Sequence, residues 1–465
     1  MKRIIVRDKQ FYRTALVLAS PVVLQSVITI AVNMLDNIML GRYGELQLSG
    51  CSLANSFVSI YLVLCMGIGG GAAVLTAQFW GALNTQAIRK VTTLMLRISM
   101  SVALVFFAAA MAIPEAIMGL YTSDPGIIAT GAVYLRLIAP TFLLSGMTHT
   151  MMIVLRSVRE VRLPLINAII AFFTNLFFNW VLIFGKLGLP ELQIRGAAIA
   201  TDIARLIETA IILVFVFKKD KRIQLRFHHL LEPCTEYLPR YFRYSCPVIL
   251  SDFLLGLGNT AVSMIIGHMS ASFVAANAIV AMTVRLSTVM NQAFSNAGSI
   301  MTGNTLGEGK IEQAHTQGFT FLLMSFALGI VASILILLLC PFVISTYNVT
   351  EETVRIAYIM MRSVSITVVF QATQSMLTKG VLRGGGDTKF LLVADILFMW
   401  LLSIPLGYLS AFVWHLDVFW IYTLMKIDYV VKTIWCTFRL MGNKWIKTLA
   451  KPVPEAGKAE AASPG

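Results

Sequence analysis

Long runs of apolar residues fill this chain, and short polar or basic segments separate them. About 20 apolar residues are enough for an α-helix to cross the hydrocarbon core of a bilayer. The runs are continuous, whereas the strands of a membrane barrel alternate apolar and polar residues. The pattern predicts twelve membrane-spanning helices, at residues 14–40, 48–80, 91–113, 127–155, 163–185, 194–217, 241–267, 273–306, 315–346, 353–382, 390–413 and 418–440.

The composition supports this interpretation. Of the 465 residues, 57% are hydrophobic and only 13% are charged, and the mean hydropathy is +0.78. Only helices and closed barrels satisfy the backbone in lipid, so we predict an all-α integral membrane protein. The net charge of +14 would suggest nucleic acid in a soluble protein. Here the basic bias of cytoplasmic loops accounts for it, and we expect no nucleic-acid partner.

Lys and Arg are distributed unevenly between the two sets of predicted loops. With the N-terminus in the cytoplasm, 26 of the 37 basic residues lie on the cytoplasmic side and four on the other. Cytoplasmic loops of membrane proteins carry such an excess. We therefore predict a multi-pass protein of the cytoplasmic membrane, with both termini inside and an even number of spans.

The second half of the sequence repeats the first. Pro21 matches Pro247 and Gly81 matches Gly307 at one constant offset, and Leu155-Arg156 matches Leu382-Arg383 at an offset longer by a single position. Each repeat holds six spans, so both halves have the same orientation and are related by a pseudo-twofold axis along the membrane normal. The predicted units are an N-lobe (1–217), a cytoplasmic linker (218–239), a C-lobe (240–450) and a disordered cytoplasmic tail (451–465).

The first span carries a polar stripe. Gln25, Ser26, Thr29, Asn33, Asp36 and Asn37 recur every three or four residues, so they share one helix face. Asp36 is the only charged residue of the span. A carboxylate within a membrane is costly and marks a functional site by default. The alternative is a structural role, in which Asp36 caps or pairs with a neighbouring helix.

The segment Leu382-Arg383-Gly384-Gly385-Gly386-Asp387-Thr388-Lys389 resembles the signature of the multidrug and toxic compound extrusion (MATE) family. Further matches are the Pro21 entry to the first span and Gly196 to Thr201 at the start of the sixth. The resemblance implies twelve helices in two pseudo-twofold-related six-helix lobes. It also implies a secondary active antiporter that exports organic, often cationic, compounds in exchange for Na⁺ or H⁺. Its partners would be a small-molecule substrate and membrane lipid, and we expect a monomer.

The resemblance further implies an ion site in the first lobe, formed by the first, fifth and sixth helices. Carried over to this sequence, that site consists of Asp36, Asn175, Asn179 and Thr201. Secondary candidates are Asn33, Asp202, Asp252 and Gln371, and the cytoplasmic loop signature contributes Arg383, Gly384, Gly386 and Asp387. We expect no catalytic residue, no cofactor, and no metal other than Na⁺ as the coupling ion.

The residues themselves support the ion site. Asn175 and Asn179 are four apart and share a helix face. Asp36, Asn179 and Thr201 lie roughly 7 to 10 Å from the outer ends of their spans, from the rise of 1.5 Å per residue. Their oxygens suit a hard cation, and a lone desolvated carboxylate could instead carry a proton. The Asn pair has a structural alternative, namely hydrogen bonding between helices.

For the loop after the tenth span we predict a tight reversal. Its glycines permit positive φ, and Asp387 is placed to cap the following helix. The loop is either a cytoplasmic gate or a structural turn.

Several charges fall within predicted spans. The basic ones are Arg97, Arg136, Arg205, Arg285, Arg362, Lys426 and Lys432. The acidic residues Asp202, Glu208, Asp252, Asp395 and Asp428 could pair with some of them. We expect several of the basic residues to reach the interface instead.

Three other functions remain open at this point. A lipid-linked precursor flippase or polysaccharide exporter would favour a large cationic cavity and extra helices. An intramembrane transferase would need clustered Asp or His near one face, as in DxxxD or HxxxH, and the sequence has neither. A passive channel would show flux without coupling.

Overall fold

A computed structural model describes residues 5–41, 45–345 and 349–448, without the side chains at 33, 36–38, 41 and 45. It is nearly all-helical. The helices of the first half are α1 (Lys9–Gly41), α2 (Glu45–Gly81), α3 (Thr85–Ala112), α4 (Pro114–Gly119), α5 (Pro125–Ile138), α6 (Pro140–Ser157), α7 (Arg162–Ile183) and α8 (Gln193–Val214).

The second half follows the same plan with more irregular helices. Its α-helices are α9 (Leu238–Gly267), α10 (Ala271–Gly307), α11 (Ile311–Ser345), α12 (Glu351–Ser375), α13 (Thr388–Asp395), α14 (Ile404–Tyr408), α15 (Val418–Leu424) and α16 (Ile427–Met441). Three π-helical segments, Met376–Leu382, Ile396–Ser403 and Leu409–Val413, continue or join these helices. Such segments are frequent at functional sites.

Nine helices in the described ranges are long and apolar enough to span a membrane, or ten if the pair α5 and α6 forms one span bent by 54°. Two of the predicted spans do not meet this criterion, α8 and the pair α15–α16. Both carry charges: Arg195, Asp202, Arg205 and Glu208 in the first, and Lys426, Asp428, Lys432 and Arg439 in the second. Counting these two gives twelve helical units, six in each half, as the sequence predicts.

Local sequence signals explain where several helices begin. Asn84, Asp124, Ser270 and Thr350 precede α3, α5, α10 and α12, and each side chain accepts a hydrogen bond from a backbone N–H of the first turn. Proline occupies the first position of α4, α5 and α6, where its missing N–H has no consequence. The bend between α5 and α6 falls at Pro140, because proline interrupts the backbone hydrogen bonds of a continuous helix.

The two halves meet around a local pseudo-twofold axis. A Cβ added to Gly81 would lie 2.0 Å from the carbonyl oxygen of Asn304, and one added to Gly307 would lie 2.0 Å from that of Gln78. Gly81 corresponds to Gly307 in the repeat, and Gln78 corresponds to Asn304 at the same offset. Each contact is therefore the counterpart of the other under exchange of the halves, as a twofold relation requires.

Side-chain hydrogen bonds obey the same symmetry. Gln78 Nε2 donates to the carbonyl of Gly384 at 3.2 Å, and Asn304 Nδ2 donates to that of Ser157 at 3.3 Å. The two acceptors, Ser157 and Gly384, correspond at the offset that matches Arg156 with Arg383. Asn304 also accepts a 2.7 Å hydrogen bond from Arg159 Nε. These contacts join the halves at the end that carries the basic loops.

Close packing of α2 on α9 extends this contact. A Cβ at Gly67 would lie 2.8 Å from Ile249 Cα, and one at Gly71 would lie 2.4 Å from Ser245 Cα. The hydroxyl of Tyr241 donates to the carbonyl of Ile68 at 2.8 Å. Glycines spaced by four thus let two helices of different halves approach closely.

The segment between the halves contains the π-helical turn Phe215–Lys219 and the 3₁₀ turns Phe227–Leu231 and Thr235–Tyr237. The predicted tail (451–465) lies outside the described residues. The domain limits drawn from the sequence remain a prediction. Lys379, one of the basic residues counted on the cytoplasmic side, lies within a π-helical segment on the wall of a cavity.

Candidate functional site

The predicted amide and hydroxyl groups of the N-lobe come together. Asn179 Nδ2 donates to Asn175 Oδ1 at 2.9 Å, along one face of α7. Asn175 Nδ2 contacts Thr201 Oγ1 on α8 at 3.5 Å. Asn175 and Asn179 are 7% and 2% exposed. Two helices therefore hold a buried chain of polar groups, of the kind that binds a cation or links helices.

The fourth member of this predicted site is only partly visible. The backbone of Asp36 lies in α1, but its side chain and that of Asn33 fall outside the described residues. Helix α1 packs against α7 and also contacts α8. The three helices expected to form the site are therefore neighbours.

Asp202 follows Thr201 on α8 and is partly buried. Its Oδ1 atom is buried and accepts no hydrogen bond from any residue in the described part of the chain. An intramembrane carboxylate oxygen without a donor is costly, because nothing replaces its hydration. Asp202 is thus a second acid of the N-lobe that a cation could satisfy.

Asp252 has a different environment. Its carboxylate forms an ion pair with Arg383 of the loop signature, with Arg383 Nη2 2.9 Å from Asp252 Oδ2. The two side chains are 18% and 16% exposed. Asp252 is consequently a partner of the loop, and its charge is compensated within the C-lobe.

The loop 383–389, which follows the tenth predicted span, has the predicted tight turn. Gly386 has φ +86°, a value that favours glycine. A Cβ at Gly384 would lie 2.5 Å from the carbonyl oxygen of Ser299, and one at Gly385 would lie 2.4 Å from Trp445. The glycines are therefore required by close contacts as well as by backbone conformation.

The predicted cap at Asp387 is wrong. Asp387 stands at the N-terminus of α13, but its side chain makes no capping hydrogen bond. Its Oδ2 atom instead accepts a 2.7 Å hydrogen bond from Arg439 Nε on α16. The guanidinium is a charged donor, whereas a backbone N–H is a neutral one, so the carboxylate is bound more strongly by Arg439. Arg439 also lies 4.6 Å from the ring of Phe390.

A cavity of about 490 Å³ lies within the C-lobe. Its walls come from α9, α10, α12 and the segment 399–432, and they include Gln371, one of the predicted secondary residues. Met399, Met425, Tyr422 and Tyr429 supply apolar surface. This size is typical of sites for small organic molecules.

Basic side chains distinguish this cavity. Arg285, Lys379, Lys426 and Lys432 line it, with Asp428 as the acid among the lining residues. The sequence predicts that Arg285, Lys426 and Lys432, as charges within spans, pair with acids or reach the interface, and it does not place them at a cavity. The available signal was that Arg285 has no Asp or Glu nearby on its own helix.

Lys432 belongs to a buried triad. It is 1% exposed, and its Nζ lies 2.9 Å from Asp395 Oδ1 and 3.2 Å from Asp428 Oδ2. The Ser251 hydroxyl donates to Asp395, and the Ser403 hydroxyl donates to Asp428 Oδ1 at 3.1 Å. Buried ions persist when paired and hydrogen-bonded in this way.

A candidate metal-binding cluster lies in the linker. His228, His229 and Glu232 could place one ligand atom each within 4.8 Å of one another. However, Arg89 Nη1 is 3.3 Å from His229 Nε2. Burial, together with the charges of His228 and Arg89, lowers the pKa of His229. The positive charge of Arg89 beside the His229 ring disfavours a metal cation at this cluster.

A family model described as MatE matches residues 21–181 and 247–409. The two matches begin at Pro21 and Pro247, a pair that corresponds in the internal repeat. The chain is 24% identical to the probable multidrug resistance protein NorM of Thermotoga maritima, over 92% of each chain. It is 23% identical to the multidrug resistance protein NorM of Vibrio vulnificus, over 84% of this chain and 86% of that one.

Solved structures share the fold. A multidrug resistance MATE family transporter of the MOP superfamily, in an outward-facing conformation, superposes with a TM-score of 0.83 at 16% identity, over 95% of this chain and 99% of the other. A MOP superfamily transporter from Pyrococcus furiosus, whose binding pocket is described as having reverse polarity, gives 0.83 at 17% identity with the same coverage.

Proposed function

The chain belongs to the MatE family of transporters, and on this premise we propose that it exports organic compounds in exchange for Na⁺ or H⁺. It is a multi-pass membrane transporter of the multidrug efflux type and not an enzyme. The coupling ion, the substrate class, the identity of the membrane and the orientation in it are our proposals. We place it in the cytoplasmic membrane with both termini inside, on the basis of its basic loops.

The observation that carries the coupling proposal is the buried polar chain between α7 and α8. Asn179, Asn175 and Thr201 offer oxygens side by side, and α1 with Asp36 packs against the same helices. A carboxylate among neutral oxygens can bind Na⁺, or it can take up and release a proton. Asp36 is the group whose charge we expect to change during each transport cycle.

Transport requires that the site open alternately to each side. The symmetric contacts of Gly81 with Asn304 and of Gly307 with Gln78 close the lobes at the end of the basic loops. With that end in the cytoplasm, the described conformation faces outward. Binding of the coupling ion at Asp36 would favour this state, in which substrate leaves the cell.

The experiment is transport by purified protein in proteoliposomes, with sodium and pH gradients imposed separately. Fluorescein and ethidium serve as an anionic and a cationic probe. We expect Asp36→Asn to fold but to lose gradient-driven transport almost completely, because an amide keeps the shape and cannot ionise. Asn175→Ala, Asn179→Ala and Thr201→Ala should weaken coupling by smaller factors, since each removes one neutral group.

Asp417→Asn is the matched control, because Asp417 is exposed and its side chain makes no capping bond. It should transport like the unaltered protein. Normal ion-coupled transport by Asp36→Asn would exclude the coupling role, and Asp202 would then be the next acid to test.

A further inference from the structure

Three basic side chains of the C-lobe cavity have no counter-ion among the residues that the structure describes. Arg285, Lys379 and Lys426 make no ion pair within 4.0 Å with any residue that the structure describes. Lys426 instead lies 5.8 Å from the ring of Tyr429. Charges at membrane depth are normally paired or mark the path of a substrate. Here they face one shared cavity.

The fourth cation, Lys432, and its acidic partners do not make the net charge around the cavity negative. Lys432 is neutralised by Asp395 and Asp428, and the triad carries one net negative charge when all three are ionised. Three unpaired cations outweigh it. Arg383 and Asp252, at the neighbouring end of the lobe, compensate each other. The surroundings of the cavity are thus positive.

A buried hydrogen-bond donor also points to an acceptor in the cavity. Asn291 lines it and is 5% exposed, and its Nδ2 atom has no hydrogen-bond partner among the described residues. A buried amide donor without an acceptor costs free energy. A ligand oxygen would satisfy it while also compensating the neighbouring cations.

We propose that this cavity binds the substrate, and that the substrate is an organic anion with a carboxylate or phosphate group on an apolar body. Arg285 and Lys426 bind the oxyanion, and Asn291 donates a hydrogen bond to it. Tyr422, Met399 and Met425 pack against the apolar part. The inference deepens the proposed function, because it gives the exporter a substrate class that differs from the often cationic compounds implied by the family resemblance.

The test is equilibrium binding without any gradient, so that it does not depend on coupling. Purified protein in phosphatidylcholine nanodiscs is titrated with fluorescein and, separately, ethidium, and bound probe is read by fluorescence anisotropy. We expect saturable binding of fluorescein that weakens as salt is raised. Arg285→Gln and Lys426→Gln should each raise its Kd about tenfold, the loss of one charge-assisted hydrogen bond. Ethidium binding should be unchanged or stronger.

Matched controls are Arg136→Gln and Lys310→Gln. Both side chains are at least half exposed and form ion pairs, with Glu115 and Glu308, outside the cavity. They should bind fluorescein like the unaltered protein. Arg285→Lys keeps the charge, so it should retain most of the affinity for fluorescein. This variant keeps the test usable if Arg285→Gln folds poorly.

Two further arms identify the source of the oxyanion. Displacement of fluorescein by phosphatidylglycerol in the nanodisc would indicate a lipid headgroup, and displacement by free salicylate would indicate a small solute. Either result supports the proposal. No saturable fluorescein binding, or binding that the two Gln variants leave unchanged, would overturn it.

The outcome is separable from that of the coupling proposal. Asp36→Asn should bind fluorescein normally, since the N-lobe site is distinct from the cavity. If Asp36→Asn transports normally while Arg285→Gln loses fluorescein, the coupling site is wrong and the anion cavity stands.

Discussion

The two lobes share a helix plan but surround corresponding residues with different partners. Asp202 in α8 and Asp428 in α16 occupy equivalent positions of the repeat, at the same offset as Pro21 and Pro247. Asp202 has a buried oxygen with no described donor, whereas Asp428 is paired with Lys432. In the N-lobe an acid and neutral oxygens lack a cation among the described residues, and in the C-lobe Arg285, Lys379 and Lys426 lack an acid among them. The repeated backbone therefore does not fix the charge of a site, and the two lobes can bind ligands of opposite charge.

The difference suits the antiporter that we propose. A cation that enters and an organic anion that leaves do not compete for one site when each has a lobe of suitable charge. The symmetric contacts at the basic end hold the two lobes together in this conformation, and we propose that occupancy of one site changes access to the other through them.

The largest effect is expected from breaking the buried triad of the C-lobe. Lys432→Met leaves Asp395 and Asp428 buried without their cation, which should lower stability by about 3–5 kcal/mol. The measurement is the free energy of unfolding by denaturing detergent, with retained secondary structure as the readout. Lys310→Met, at an exposed ion pair, should change it by less than about 0.5 kcal/mol.

Adding Asp395→Asn and Asp428→Asn to Lys432→Met should recover much of the loss, because no buried charge then remains unpaired. If Lys432→Met alone is as stable as the unaltered protein, the triad is not a buried ionic unit, and the contrast between the lobes loses its main structural support.

A smaller effect should follow from disturbing the symmetric contact between the lobes. Gly81→Ala and Gly307→Ala each place a methyl group against a backbone carbonyl of the other lobe. Overpacking costs about 1–3 kcal/mol, so each should shift the balance away from the closed basic end by roughly 5- to 150-fold. Spin labels at Gln86 and Gln313, two exposed positions at the starts of α3 and α11, report the separation of the lobes.

The two glycine variants should lengthen this distance alike, since the repeat makes their contacts equivalent. Gly256→Ala is the control, because a Cβ there meets nothing within 4 Å. A longer distance in only one of the two variants would show that the symmetry of the backbone does not extend to the motion.

The sequence predicted the features that depend on spacing. The constant offset between the repeats identified pairs that the structure brings into reciprocal contact, such as Gly81 and Gly307. The four-residue spacing of Asn175 and Asn179 predicted their shared face. Spacing along a helix or between repeats is visible in one sequence, because both are periodic.

Contacts between distant segments were not predictable in this way. The pairing of Asp252 with Arg383 joins residues 131 apart, and the cavity cations come from separate helices. Asp387 was expected to cap its own helix, but Arg439 of another helix binds it instead. The local sequence correctly placed Asp387 at the start of a helix, but an ion pair with a residue distant in the sequence determined what its side chain binds.

The smallest expected effect compares the two repeat-related loop acids. Glu160 pairs with Arg222 at 3.0 Å, with side chains 14% and 38% exposed, and Asp387 pairs with Arg439 at 2.7 Å, with side chains 6% and 23% exposed. The first pair is more accessible to water, so Glu160→Ala should cost less than about 1 kcal/mol and Asp387→Ala about 1–2 kcal/mol. Double-mutant cycles with Arg222→Ala and Arg439→Ala, measured by detergent unfolding, isolate the two pair energies.

Transport by the same variants distinguishes a gate from a turn, since a structural turn should lose stability and transport together. Wild-type stability and transport in Asp387→Ala would contradict both interpretations of the loop.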